Sequence, residues 1–368
     1  MRPLLVYRDR ILARSEHGFM RRQYLGFTRL APFWVGTRRD ADRPDGLDPL
    51  ILGGAGPLAP LRRALFKQAG LPPPETPALA ARRPALIHAQ FGRGGAIALP
   101  LARALGVKLV VTFHGGDAHK DAHYRPGRLF GALFARRLPA LLDYAACFVC
   151  VSPSVREKLL ARGFPPEKLI VLPIGVEPAA ALPPPSGGHI LFIGRMVEKK
   201  GVPVLLDALA RLRAAGDATP AVLVGDGPLL AALRPRAEAL GGVSLPGWQS
   251  QAQLRDWFAG ARCLAVPSVT GAGGDAEGLP SVAAEAMMLG VPVVASDQAG
   301  LTHLFGAAAP GVLVPAGDAA ALAAALAGFA DPAARAGAAA AAHALARREL
   351  DASVQSVRLE ELLLSVLA

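Results

Sequence analysis

Residues 190–201 read Ile-Leu-Phe-Ile-Gly-Arg-Met-Val-Glu-Lys-Lys-Gly, and residues 202–209 continue Val-Pro-Val-Leu-Leu-Asp-Ala-Leu. Four consecutive apolar residues stopped by a glycine are too short for a helix and predict a strand buried on both faces. Gly194 and Gly201 bracket a loop carrying Arg195, Lys199 and Lys200. Apolar residues then recur at helical spacing, with Pro203 suited to a first turn. A strand, a basic glycine-bounded loop and a helix form the opening of a βαβ unit. In open parallel sheets the residues that touch ligands follow the strands, where loops enter helices. The loop lacks the Gly-x4-Gly-Lys-Ser/Thr spacing of a Walker P-loop.

The same alternation extends in both directions. Downstream, Ala221–Val224, Val243–Leu245, Cys263–Val266 and Val293–Ala295 read as strands, separated by helices over Pro203–Ala215, Pro228–Leu240, Gln251–Gly260 and Pro280–Leu289. Upstream, Leu4–Tyr7, Leu86–Ala89, Leu109–Phe113, Cys147–Val151 and Ile170–Leu172 read as strands, with helices such as Leu58–Ala69, Gly94–Leu105 and Val155–Arg162. Pro173–Gly188 is rich in proline and glycine and reads as a linker. These patterns predict an α/β protein of two Rossmann-like domains, residues 1–175 and 176–350. A final helix, 351–368, is expected to pack back on the first domain.

The length of 368 residues suits two cores of ordinary domain size. No apolar run reaches the roughly 18 to 20 residues of a membrane span, and the start MRPLLVYRDR has charges where a signal peptide would be apolar. The expected address is therefore cytoplasmic. The net charge of +11 is uneven: residues 1–180 hold 27 Lys plus Arg against 13 Asp plus Glu, and the remainder is slightly acidic. A basic first half meets polyanions, and a peripheral contact with the inner face of an anionic membrane is expected. Nucleic acid is not, because aromatics interleaved with the basic residues are sparse. Cys147 and Cys150 form a CxxC, but residues three apart on a strand face opposite ways. We read them as core, and no metal site or cofactor is expected.

Several chemistry-bearing residues follow predicted strands. After Cys263–Val266 comes a glycine-rich loop ending Glu277-Gly278-Leu279-Pro280, and Glu285 lies within the apolar helix that follows. A carboxylate so placed needs a partner, and a ribose diol offers two donors. Pairing of Glu285 with a buried arginine is the alternative. Leu109–Phe113 ends at His114-Gly115-Gly116-Asp117, where the glycines allow a ligand close approach. His17, His88 and Asp117 are candidates for an acceptor side.

Arg195 with Lys200-Gly201, the Val-Gly-Asp-Gly-Pro of 224–228, Glu277 with Glu285, the Gly-Val-Pro-Val-Val of 290–294 and the His-Gly-Gly-Asp of 114–117 occur in an order that resembles the family 4 retaining glycosyltransferases of bacterial surface polysaccharides. The resemblance implies the GT-B fold, two Rossmann-like domains with parallel sheets facing across a cleft. It implies that a hexose-type sugar moves from a UDP or GDP sugar to a glycan or lipid-linked acceptor, without a metal. Arg195 and Lys200 would neutralise the diphosphate, near the turns at Gly194, Gly225 and Asp226. Glu285 would hold the ribose, and Glu277 with the backbone of Gly278 and Leu279 would hold the transferred sugar. His114 would touch the sugar, and the base would rest by Gly247 and Trp248. The stretch after the first strand lacks the glycine pair that shapes the family's acceptor site, so the acceptor stays open. Two rivals remain: an epimerase-like enzyme acting on the nucleotide sugar alone, and a non-catalytic sugar- or polyanion-binding protein.

Overall fold

The computed structural model describes residues 1–11, 17–39, 48–124, 131–182, 188–297, 300–305 and 311–368. They form two compact units. The first comprises Met1–Gly175 together with Ala352–Ala368, and the second comprises Val176–Asp351.

In the first unit the strands are β1 (Arg2–Tyr7), β2 (Arg10–Ile11), β3 (Leu30–Gly36), β4 (Arg38–Arg39), β5 (Leu50–Ile51), β6 (Leu86–Gln90), β7 (Lys108–Phe113), β8 (Cys147–Cys150) and β9 (Leu169–Val171). Seven of them make one sheet in the order β5-β3-β1-β6-β7-β8-β9, parallel at each pairing, while β2 and β4 form a separate parallel ladder. The middle of the sheet is apolar because both faces are covered: Leu4, Leu5, Val6 and Tyr7 have no exposed surface. One face is covered by the helix Ala352–Ser365, whose Leu359 and Leu363 pack with Leu4, Val6, Leu30 and Leu86. The same helix places Glu360 against the start of β3. Its carboxylate accepts from the N–H groups of Thr28 (3.0 Å), Arg29 (2.7 Å) and Leu30 (2.7 Å).

The second unit contains β10 (His189–Ile193), β11 (Ala221–Val224), β12 (Val243–Gly247), β13 (Ala261–Val266), β14 (Val293–Ser296) and β15 (Gly311–Val314), ordered β12-β11-β10-β13-β14-β15 and parallel throughout. Alternate residues of β10 serve opposite faces. Ile190 and Phe192 join Leu205, Leu209, Leu322 and Leu326, while Leu191 joins Met287, Leu345 and Ala346. A strand buried on both sides has no polar alternation, which is why it reads as a continuous apolar run.

Three local readings differ from the structure. β3 escapes detection because Pro32 interrupts it. Among the described residues β5 pairs only with Val35 and Gly36 and does not reach residue 32, where a proline is tolerated. β15 is a four-residue strand opening on a glycine, which leaves little pattern to read. The proline-rich segment is not a free linker over its described part: Val176 N–H donates to Leu350 O (2.7 Å) and Leu182 N–H to Leu289 O (2.9 Å), both within the second unit. Residues 183–187 of that segment lie outside the described residues. Cys147 and Cys150 are buried in β8, and burial pushes both thiols up to about 12. Among the described residues no helix is long and apolar enough to cross a membrane.

Candidate functional site

Numbered from the first strand of the unit, the second sheet runs 3-2-1-4-5-6, so its order reverses between β10 and β13. Loops leaving two strands at such a reversal part to opposite sides and leave a crevice for a ligand. The β10 loop supplies Lys199 and Lys200 from a short 3-10 turn, Glu198–Lys200. The β13 loop supplies Asp275 and Glu277. Lys200 Nζ lies 3.2 Å from Glu277 Oε2, and Lys199 Nζ lies 3.2 Å from both Glu277 Oε1 and Asp275 Oδ1. The four side chains are only 11 to 24% exposed. Burial would raise the Glu277 carboxyl, but the charges of Lys200 and Lys199 and their hydrogen bonds outweigh it and hold the acid below its ordinary range. Burial opposes the charge on Lys199, and Glu277 and Asp275 overcome it, raising the amine. The result is a fixed, partly desolvated group of two ammoniums and two carboxylates.

Backbone contacts set this loop in place. Gly201 has a left-handed φ of +66°, and a Cβ there would stand 1.7 Å from Pro267 O at the exit of β13. Val269 N–H donates to Lys199 O (2.9 Å), and Glu198 accepts from Ala272 N–H (3.0 Å). Toward β11, Gly194 N–H donates to Val224 O (3.0 Å) and Met196 N–H to Asp226 O (2.9 Å). Gly225, at φ +133°, passes so close that a Cβ would stand 1.9 Å from Gly194 O. Its N–H reaches Gly247 O (2.9 Å) at the end of β12, where Trp248 is 63% exposed. The structure therefore joins Gly194, Gly225, Asp226 and Gly247 in one run of backbone, and joins Lys200 to Glu277. Arg195 is exposed and does not enter the ion cluster. Gly278 is buried and Leu279 partly so. Glu285 sits half-buried in the helix Ser281–Met288, among buried Ala283, Ala284, Ala286 and Met288.

In the first unit His114 leaves the end of β7. Asp117 organises its turn, accepting from the N–H groups of His114 (2.9 Å), Gly115 (3.0 Å) and, through its other oxygen, Gly92 (2.9 Å). His114 Nε2 lies 2.6 Å from Gln90 Oε1, and the Gln90 amide donates to Tyr24 Oη (2.6 Å). Tyr24 Oη lies 2.8 Å from His88 Nδ1, and His88 Nε2 lies 2.7 Å from Thr112 Oγ1. With the amide so oriented, His114 carries its proton on Nε2. Burial lowers His88 to about 3; burial, then the charges of Arg8 and His88, lower His114 to about 3. Both are neutral at ordinary pH. The His114 ring also packs on Phe91, centroids 4.4 Å apart, and the Arg8 guanidinium covers the same phenyl ring at 4.2 Å. Phe91 has φ +67°, an unfavourable backbone for a bulky residue held by its surroundings.

These placements divide the expected acceptor-side residues. Asp117 shapes the His114 loop from within. His88 has no exposed surface and spends both ring nitrogens in the core, so it supports His114 and does not itself face an acceptor. His17 begins the helix His17–Arg22; its side chain lies outside the described residues. Asp275, Gln90, Tyr24 and Phe91 were not singled out, and Lys199 was read only as one cation of its loop. A signal existed for Gln90: His88 and Gln90 on β6, and Thr112 on β7 with His114 just beyond its end, are polar residues with period two in otherwise apolar stretches.

Comparison with known proteins gives a glycosyltransferase family model on each half of the chain. The family model described as Glycosyltransferase Family 4 matches residues 31–180, and that described as Glycosyl transferases group 1 matches residues 187–331. The amylovoran biosynthesis glycosyltransferase AmsK of Erwinia amylovora is 34% identical over 254 residues, 66% of this chain and 60% of the relative. The putative teichuronic acid biosynthesis glycosyltransferase TuaC of Bacillus subtilis is 30% identical over 61% of this chain and 56% of the relative. The matched region thus spans less than two thirds of each of these relatives. Among solved structures, Anabaena Alr3699/HepE in complex with UDP superposes with a TM-score of 0.77 at 18% identity, covering 99% of this chain and 100% of that one. Sucrose-phosphate synthase from Thermosynechococcus elongatus superposes with a TM-score of 0.75 at 21% identity, covering 100% and 99%. With one family model on each half, relatives of that kind and a shared architecture, the chain belongs to the family 4 glycosyltransferases and has the GT-B fold.

Proposed function

We propose that this chain is a retaining glycosyltransferase that moves a hexose-type sugar from a UDP or GDP sugar to a glycan or lipid-linked acceptor in polysaccharide biosynthesis. The observation that carries the proposal is the Lys199–Lys200–Asp275–Glu277 cluster at the order reversal of the second sheet. Breaking the anomeric C–O bond develops positive charge on the sugar and negative charge on the departing diphosphate. Ammoniums already fixed and partly desolvated stabilise the second charge without reorganising, the kind of contribution that is often largest in enzymes. Glu277, kept ionised by the two lysines, suits the hydroxyls and electron-poor face of the transferred sugar. Arg195 adds a third cation for the diphosphate, Glu285 holds the ribose diol, and the exposed Trp248 with the Gly247 turn offers a surface for the base. His114, neutral and held by Gln90, provides a hydrogen-bonding group for the sugar that carries no charge to repel the developing cation. None of these steps requires a metal or cofactor in our reading.

The names of the relatives, built on amylovoran and teichuronic acid, support a surface polysaccharide as the setting. The Anabaena neighbour, solved with UDP-glucose, supports a nucleoside diphosphate sugar as donor. The reading includes a cytoplasmic address and a peripheral contact of the basic first unit with anionic lipid. A donor screen tests it: the protein is incubated with UDP and GDP sugars and candidate acceptors, free nucleotide is measured, and the product's anomeric configuration is assigned by NMR. Release of UDP or GDP with a retained linkage is expected. Turnover of donor without acceptor would favour the epimerase-like reading. Thermal stabilisation by duplex DNA and by neither nucleotide would turn the reading toward polyanion binding.

A further inference from the structure

Lys199 and Lys200 are neighbours in one short turn, yet their ammoniums stand in different surroundings. Lys200 Nζ meets Glu277 Oε2 at 3.2 Å. Lys199 Nζ sits between two acids, donating to Asp275 Oδ1 at 3.2 Å and facing Glu277 Oε1 at the same distance. Asp275 is itself fixed by its backbone. Gly271 N–H donates to Asp275 O (2.9 Å), and the two residues form an antiparallel bridge that closes a five-residue turn. Gly273 and Gly274, at φ +67° and +77°, supply the left-handed backbone that so tight a turn needs. Inside the same turn Ala272 N–H donates to Glu198 Oε2 (3.0 Å), and just before it Val269 N–H donates to Lys199 O (2.9 Å). Lys199 is thus stitched to the β13 loop by its own carbonyl, by the neighbouring Glu198 and by its ion pair with Asp275.

A nucleotide sugar that enters here draws cations toward its diphosphate. Each lysine that turns to it leaves a carboxylate behind, and Glu277 is only 11% exposed. Stripping a buried charge of its partners is costly, and burial then drives the proton back onto the acid. The largest charges acting on Glu277 are those of Lys200 and Lys199. Glu198 is taken by Ala272 N–H, and Arg195 is exposed outside the cluster. With both lysines on the diphosphate, Glu277 would face the sugar as a neutral acid and give a developing cation little help. Asp275 bears on which lysine moves. It shares Lys199 with Glu277, and the two acids together outweigh burial and raise the amine. The Lys199–Asp275 pair is neutral as a whole, so it steadies Glu277 without adding net positive charge beside the sugar. Each carboxylate oxygen has two lone pairs, which leaves Glu277 Oε1 able to accept from a sugar hydroxyl as well.

We propose, on the diphosphate and sugar roles given to Lys200 and Glu277 above, that the two lysines divide the work. Lys200 turns to the diphosphate, while Asp275 acts as a positioning residue that keeps Lys199 on Glu277. Lys199 then serves the leaving group through its charge alone.

The test follows the Glu277 carboxyl carbon by NMR in the full chain labelled at glutamate, its signal assigned by its loss in Glu277→Gln. The chain is titrated with acid, free and saturated with UDP or GDP, and nucleotide affinity is measured by calorimetry. In the wild type Glu277 should titrate below the ordinary carboxylate range in both states. Asp275→Asn should match it when free, but with nucleotide bound its Glu277 should titrate higher by about one pH unit or more, the scale of a lost neighbouring charge. The same variant should bind nucleotide at least as tightly as the parent, because Lys199 is released to the diphosphate. Lys199→Met removes the charge itself and should raise Glu277 in both states, which keeps the test decisive if Asp275→Asn fails to fold. Equal titration of Glu277 in Asp275→Asn and the parent, with nucleotide bound, overturns the proposal and leaves the transferase reading standing. So does a fall in nucleotide affinity with Glu277 unmoved, which would make Asp275 a residue that only holds its loop. A wild type that binds neither UDP nor GDP would defeat the transferase reading and this proposal with it.

Discussion

Lys200 Nζ and Glu277 Oε2 meet at 3.2 Å, which ties the exit of β10 to the exit of β13. Neither side chain is well solvated, and Glu277 is shared with Lys199 at the same distance. Replacing the acid by its amide keeps the shape and removes the charge. Glu277→Gln is therefore expected to lower kcat by about 10² to 10³, the scale of a lost electrostatic contact to a transition state. Nucleotide affinity should hold, because the lysines remain. Paired kinetics and calorimetric titration with UDP and GDP check this; unchanged turnover would remove Glu277 from the mechanism.

Lys200→Ala and Glu285→Ala should each weaken nucleotide binding. A charge-assisted hydrogen bond contributes about 1.5 to 3 kcal/mol, so losses of about ten- to a hundredfold are expected for the lysine. Lys200→Arg should restore only part, since a planar guanidinium does not replace a compact ammonium in a packed site. If both alanine variants bound UDP and GDP as tightly as the parent, the phosphate and ribose assignments would fail together.

Gly201→Ala tests the loop and not the charge. A methyl group 1.7 Å from Pro267 O, on a residue held at φ +66°, forces the loop off β13. A loss of about 2 to 4 kcal/mol of stability is expected, with nucleotide binding reduced in parallel. Thermal unfolding measures it, and a melting temperature within a degree of the parent would contradict the packing.

Acid should destabilise the first unit earlier than carboxylate titration allows. His88 and His114 are held near 3 when folded and return to about 6.5 when unfolded, so below 6.5 the unfolded chain binds more protons. Their contribution is complete above about pH 6.5 and is lost as pH falls toward 3, at about 1.4 kcal/mol per pH unit for each histidine. His189 in the second unit is also lowered by burial, so the comparison must be made against a His88→Gln variant, which should show a shallower decline. Equal slopes between pH 6.5 and 5 would speak against the neutral relay.

Gln90→Leu should leave the fold standing while moving His114. The substitution removes the acceptor for His114 Nε2–H and the donor to Tyr24 in one step. A tenfold or larger fall in kcat with little change in donor KM is expected of a residue that acts by orienting another. The His114 ring proton, followed by NMR, should change exchange rate; an unaltered signal would count against the relay.

Much of the fold was legible because strands buried on both faces leave unmistakable apolar runs, as at Ile190–Ile193 and Leu109–Phe113. β3 was not, since Pro32 contradicts a strand unless the extent of β5 is known. The candidate residues Lys200, Glu277 and His114 were singled out because each follows a strand, and the structure places each in the segment beyond one. Lys199 and Asp275 were hidden because a lysine beside a lysine, or an aspartate in a glycine loop, looks like solvated surface until the two loops are brought together. His88 looked like a ligand-facing histidine, and only its partners Tyr24 and Thr112, far away in sequence, reveal it as core.

The helix Ala352–Ser365 has a consequence for how the molecule is made. On the ribosome, residues 176–351 emerge as an unbroken stretch and can close their own sheet as soon as they are clear. The earlier-synthesised residues 1–175 must wait. Until residues 352–368 arrive, Leu4, Val6 and Leu30 lack the leucines that cover them, and the N–H groups of Thr28, Arg29 and Leu30 lack the Glu360 carboxylate. Residues 1–175 are thus finished after residues 176–351, and a chain stopped at residue 351 would hold a sound second unit joined to an incomplete first.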